Sequence, residues 1–163
     1  MDVRQNISRM STALDRVCLR AAMGFLTAML LLVLFQILAR YIFRAAPVWT
    51  TEAARYCMVW GGLLGVTAAF KSDQDPRLFK PPQSGPRLWI VTAHWLRAFA
   101  TIAFLGPVLY YSDRFLIRTW HRTSDALEIP LFWVTLAVPV AVVVIFFHLL
   151  AKLIGTEVKS AGK

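Results

Sequence analysis

A chain of 163 residues that is 58% hydrophobic is too apolar for an ordinary soluble domain of this size. Its formal charge of +9 would suggest nucleic acid in a soluble protein. Here the cations gather between long apolar runs, so they argue against nucleic acid and for a membrane.

The runs cover about residues 17–43, 52–70, 88–111 and 129–151. Each is roughly 19–27 residues, and about 20 helical residues cross a bilayer's hydrocarbon core. Backbone groups in lipid must bond within their own segment, which selects helices. The predicted fold is therefore an all-α integral membrane protein, a single four-helix domain over residues 1–163. Residues 1–16 are polar and basic, and Leu14, Val17 and Cys18 predict that the first helix starts before the membrane. Arg16 and Arg20 can reach anionic headgroups by snorkelling. Residues 21–39 carry no charge. The run is too long for a signal-peptide core and no clean small-residue cleavage site follows, so it is expected to stay as an anchor.

The first span ends in Arg40-Tyr41, an outer-interface pair. Pro47 then stops the helix. Thr50 or Thr51 is the expected N-cap of the second helix, with Glu52 complementing its positive end. Glu52 is also expected close to Arg40 or Arg44, fixing the turn between spans one and two. Gly61 and Gly65 lie four apart on one face of the second span. Such a face admits a close helix, either another span of this chain or another subunit.

The next loop contains Pro76, Pro81, Pro82 and Pro86 and cannot be one long helix. Its Leu78 and Phe79 can dip into the interface. Asp73 and Asp75 read as solvated carboxylates beside Lys71 and Arg77, not as a metal site. The third span carries His94 and Arg97 in its inner half and Pro107, with Gly106 before it, near its outer end. Arg97 is about nine residues, or roughly 13 Å, from the inner end of that span. It can snorkel, or pair with a phospholipid phosphate in a groove between subunits; polar groups inside a span need such a partner. Pro107 predicts a kink.

Residues 112–130 interleave Phe115, Leu116 and Trp120 with Arg114, Arg118 and Arg122. That spacing predicts an amphipathic interfacial helical segment. Its cations would serve as headgroup anchors or as a docking surface for a soluble partner. The fourth span is almost wholly apolar and contains Pro139. Cys18 and Cys57 fall at different depths, which argues against a disulfide; both read as small buried apolar residues.

Charge sets the expected orientation. Arg4, Arg9, Arg16, Arg20, Lys71, Arg77, Lys80, Arg87, Lys152, Lys159 and Lys163 share one side of a four-span chain, 11 cations against the 6 of Arg40, Arg44, Arg55, Arg114, Arg118 and Arg122. The positive-inside rule places both termini in the cytoplasm.

No catalytic constellation is legible: no paired carboxylates, no nucleophile with a base, no phosphate loop, no zinc motif. No metal, cofactor or substrate-binding residue is assigned. One alternative comes from His94 and His148, which both fall in the inner half of facing spans. Two such histidines can ligate a haem, which would make the chain the membrane anchor of a redox enzyme.

Several motifs occur in order. Span one ends in Gln36-Ile37-Leu38-Ala39-Arg40-Tyr41-Ile42-Phe43. Then come Pro47-Val48-Trp49-Thr50-Thr51-Glu52, Ala54-Arg55, Trp60 and Gly65. A later group is Leu127-Glu128-Ile129-Pro130, followed by an aromatic and Pro139. This order resembles the small membrane subunit of tripartite ATP-independent periplasmic (TRAP) transporters, the DctQ-type family. The resemblance covers most of the membrane part. It departs at Thr51, where the family has the first of two glutamates. It departs again at Ser72-Asp73-Gln74-Asp75-Pro76-Arg77, which lacks the family's histidine, so only Arg77 is carried over.

The resemblance implies a non-enzymatic scaffold subunit in a bacterial inner membrane. It implies a separate large membrane subunit that imports small organic anions, typically carboxylates, with sodium, and a periplasmic binding protein that delivers them. It marks Arg40, Trp49, Glu52, Arg55, Gly61 and Gly65 as structural or interface residues. Arg97 is a lipid-facing polar candidate, and Arg114, Arg118 and Arg122 are docking candidates. A passive role agrees with spans that lack the broken half-helices of a transport site.

Overall fold

The computed structural model describes residues 3–42, 44, 47–72 and 87–161, and the side chains of these except 3–6, 8, 87–91, 94 and 153–161. The helices are α1 (Val3–Ile42), α2 (Val48–Lys71), α3 (Arg87–Trp120), α4 (Phe132–Thr135) and α5 (Ala137–Ala161). Long uninterrupted apolar runs leave the backbone no partner but its own helix, which is why the elements are few and long. Among the described residues, three segments are long and apolar enough to cross a membrane: Arg9–Ile42, Val48–Lys71 and Phe132–Lys152. They correspond to the first, second and fourth predicted spans. The helix containing the third, α3, is 34 residues long and is not among them. The loop 73–86, with Asp73, Asp75, Arg77, Leu78 and Phe79, lies outside the described residues.

Two helix ends differ from the sequence expectation. The second helix starts at Val48, with Pro47 as its N-cap and no side-chain cap. Thr50 is not a cap but a residue of the first turn; its hydroxyl donates back to the Pro47 carbonyl at 2.6 Å. Thr51 instead accepts from Gln36 Nε2 at 2.8 Å, tying α2 to α1. Proline can begin a helix because its missing N–H would be unpaired there anyway, so capping by Thr is dispensable. The other difference is at the far end of α3, which continues through Pro107 to Trp120. The amphipathic segment is thus, as far as Trp120, the last turns of α3 and not a separate element.

The α1–α2 hairpin is the most extensive pairing. The Gln36–Thr51 bond marks one end of it, and Lys71 beside Ser11 and Asp15 marks the other. We call the end with residues 47–51 and 121–131 the loop end and the opposite one the base. Midway, a Cβ on Gly61 would lie 3.0 Å from Leu26 Cγ and 3.3 Å from Phe25 Cβ, so glycine allows this close approach without displacing either side chain. Gly65, its expected companion, has nothing within 4 Å. The small-residue face therefore divides: Gly61 serves the contact inside the chain and Gly65 does not.

The centre of the fold is small. Cys18 and Ala22 of α1, Leu64 of α2 and Val144 of α5 are buried together, flanked by Phe25 and Trp60. The Trp60 ring stacks on Phe25 at 5.9 Å. Its indole N–H donates to the Trp133 carbonyl at 3.0 Å. Trp133 lies in the four-residue α4, too short to give its carbonyl a donor from the same helix, and Trp60 supplies one. Pro139 falls in the first turn of α5, where a proline costs no hydrogen bond within that helix. Among the described residues, α3 approaches the backbones of α4 and α5 but of neither α1 nor α2.

Most large apolar side chains face outward. Leu31, Leu38, Ile42, Leu96, Phe99, Phe104 and Ile117 are exposed. A soluble monomer does not carry such surface, and lipid or another membrane subunit is the environment that fits it. Both cysteines are free thiols; Cys18 is buried, whereas Cys57 is only partly so.

Candidate functional site

The described polar side chains concentrate at the two ends of the bundle, and each group joins helices. At the base, Lys71 Nζ donates to the Ser11 carbonyl at 3.1 Å and reaches Asp15 Oδ2 at 3.3 Å. The Ser11 hydroxyl lies 2.9 Å from Nδ1 of His148, which is only 3% exposed. Three helices, α1, α2 and α5, thereby meet through four polar residues. Apolar packing between lipid-facing helices has no water to escape from, so such hydrogen bonds carry register information that Leu and Val do not.

At the loop end, residues 121–131 form a tight reversal. Leu131 N–H donates to the Arg122 carbonyl at 2.9 Å, and Ser124 N–H donates to that of Ile129 at 2.9 Å. Glu128 sits in the left-handed region with φ 54, where L residues are uncommon. The Glu52 carboxylate of α2 enters this reversal. Its Oε2 accepts from the Ala126 N–H at 3.1 Å, the Leu127 N–H at 3.0 Å and the Ser124 hydroxyl. These are charge-assisted bonds, stronger than neutral ones of similar geometry. The expected partnership of Glu52 with Arg40 or Arg44 is not formed; among the described residues the carboxylate is committed to the 124–127 backbone. The reason is supply: a turn with several N–H groups directed inward satisfies a carboxylate without ordering two long arginine side chains.

The remaining candidates are dispersed. Arg40 and Arg55 are exposed, and Trp49 is half-exposed with its ring 6.4 Å from that of Phe35. Arg97 is partly buried, and its guanidinium lies 4.9 Å over the Phe70 ring of α2. This cation–π contact bridges α3 to α2 where their backbones do not meet. Arg114 and Arg118 are exposed and one turn apart on α3, but Arg122 lies beyond the helix end at Trp120. The predicted stripe of three is a helical pair plus a loop residue. His94's side chain lies outside the described residues, so the haem pair has one described member. That member, His148, is engaged by Ser11 through Nδ1. Among the described residues no cluster of three or more His, Cys, Asp or Glu could hold a metal ion.

Sequence reasoning missed the Ser11–His148 bond, the Lys71–Asp15 pair and the Ser124 loop as the destination of Glu52. The partners are 137, 56 and 72 positions apart. The residue types gave one usable signal: each is a polar group adjoining an apolar run, where an unpaired group is costly.

Long helices with apolar outward faces, joined to one another by polar groups at both ends, define a multi-pass membrane protein. Residues 29–157 match the family described as tripartite ATP-independent periplasmic transporters, DctQ component, and the chain belongs to that family. That family is a transporter component, not an enzyme. The chain is also similar to the isethionate TRAP transporter permease protein DctMQ of Oleidesulfovibrio alaskensis. The two are 28% identical over 144 residues, covering 83% of this chain and 22% of that protein. The chain thus spans about a fifth of the length of that relative.

Proposed function

We propose that this chain is the small scaffold subunit of a TRAP-type secondary transporter in a bacterial inner membrane. It packs on a large permease subunit, which takes up a small organic anion together with sodium. It also contributes to docking a periplasmic binding protein. The observation that carries this reading is the family match over residues 29–157 on a fold whose outward faces are apolar. The relative's name gives isethionate, itself a small organic anion, and joins M and Q in one protein. A carboxylate or sulfonate substrate is consistent with that chemistry. The solute would be chosen by the partners, because the polar clusters at the base and the loop end are engaged in joining this chain's own elements. Phospholipid would fill the groove beside Arg97, and α3 would complete a fourth span.

The test is co-expression of the tagged chain with the large permease subunit. The two should co-purify in detergent, and sodium-driven uptake in proteoliposomes should require both together with the binding protein. Elution of the tagged chain alone, or equal uptake by the permease without it, would reject the scaffold role.

The same reading fixes the topology. With both termini cytoplasmic, a cysteine at Ser84 should be protected from an impermeant thiol reagent added to spheroplasts, in a background with Cys18 and Cys57 replaced. One at Asp125, exposed on the 121–131 reversal, should react. The opposite pattern would invert the orientation drawn from the cation count.

A further inference from the structure

We infer that Glu52 is a positioning residue for the docking surface at the loop end, and that it couples this surface to the α1–α2 hairpin. The inference rests on the proposed scaffold and docking function. Exposed Arg118, Arg122, Asp125 and Glu128 are carried by the end of α3 and the reversal that follows it. Among the described residues α3 has no close backbone approach to α1 or α2. At the loop end the reversal is held to α2 by the Glu52 carboxylate, through the Ser124 hydroxyl and the Ala126 and Leu127 N–H groups. The latch on α2 reaches α1 through the Gln36–Thr51 bond, one residue away from Glu52.

The physical consequence is pre-organisation. A reversal that contains a left-handed Glu128 and inward-turned N–H groups is strained or unsatisfied without an acceptor. With Glu52 in place, the charged residues around it present one arrangement to a soluble protein partner. Without it, a partner must order the segment on binding, and affinity falls by the fraction of time the competent arrangement is absent. A shift of the α1–α2 hairpin on joining the large subunit reaches the same surface through this carboxylate, beside the Trp60–Trp133 bond that ties α2 to α4. A partner with mixed charge, pairing acidic groups with Arg118 and Arg122 and basic groups with Asp125 and Glu128, fits it.

The experiment uses the assembled complex in proteoliposomes, with uptake measured against binding-protein concentration and rates expressed per assembled complex. Glu52→Ala should raise the half-saturating binding-protein concentration about tenfold, the loss expected when the competent arrangement falls to roughly a tenth of the population. The maximal rate should be unchanged. Glu52→Gln keeps an acceptor oxygen without the charge and should recover much of the loss. Hydrogen exchange at Ala126 and Leu127 should quicken in Glu52→Ala and less in Glu52→Gln. Unchanged half-saturation, a fall in maximal rate alone, or unaltered exchange at those two amides would overturn the inference. Should Glu52→Ala fail to assemble, Glu52→Gln decides by the same two measurements. Wild-type uptake that does not depend on binding protein would reject the docking function itself, and the inference with it.

Discussion

Lys71→Met should lower the unfolding temperature of the purified protein by roughly 5 °C or more, corresponding to about 2 kcal/mol for a chain of this size. Lys71 closes the base of the bundle with two bonds, to the Ser11 carbonyl and to Asp15. Its side chain and that of Asp15 are 24% and 25% exposed, so water screens the pair only in part. Methionine keeps the length and apolar stem but leaves the Asp15 carboxylate without its cation. Asp15 Oδ1 is already buried with no hydrogen-bond partner, so the orphaned charge has no replacement. The double variant Lys71→Met, Asp15→Leu removes the charge as well and should regain a good part of the loss, because a missing pair costs less than a broken one. A single variant as stable as wild type would show that Lys71 serves the headgroups instead. A double variant no better than the single would show that the pairing carries no coupling.

Gly61→Leu should destabilise the isolated chain by about 1–3 kcal/mol, whereas Gly65→Leu should leave it unchanged. At position 61 even the first added carbon stands 3.0 Å from Leu26 Cγ and 3.1 Å from Leu26 Cδ2. A full leucine must push α1 away from α2, and the Phe25–Trp60 stack next to the contact loosens with it. Close approach is a main source of helix association where lipid removes the hydrophobic drive. At position 65 nothing lies within 4 Å, so the same substitution meets open space. Thermal unfolding of both variants in one detergent checks the contrast. Equal losses at the two positions would mean that both glycines face α1. If Gly65→Leu lowers only the yield of complex with the large permease subunit, its face belongs to that contact.

The family was legible in the ordered motifs from Gln36 to Pro139, and the helical, membrane-embedded character in the uncharged run 21–39 alone. Such properties are local: a helix in lipid satisfies its backbone within the segment, so composition over about 20 residues decides it. Pro47 likewise announced its break, because a proline acts on its own neighbours. What sequence could not decide was every choice between distant partners. Glu52 had three arginines within twelve positions, Arg40, Arg44 and Arg55, yet it bonds a turn 72–75 positions away. Proximity along the chain ranks candidates only for exposed flexible charges, whereas a turn whose N–H groups converge outcompetes them once the fold brings it near. Gly61 and Gly65 are indistinguishable in sequence, and only the path of α1 separates them. His148 and Ser11 lie at opposite ends of the chain and meet because α1 and α5 pass side by side at the base. Hydropathy placed the helices in lipid, and long-range packing of small and polar residues then determined which faces they share.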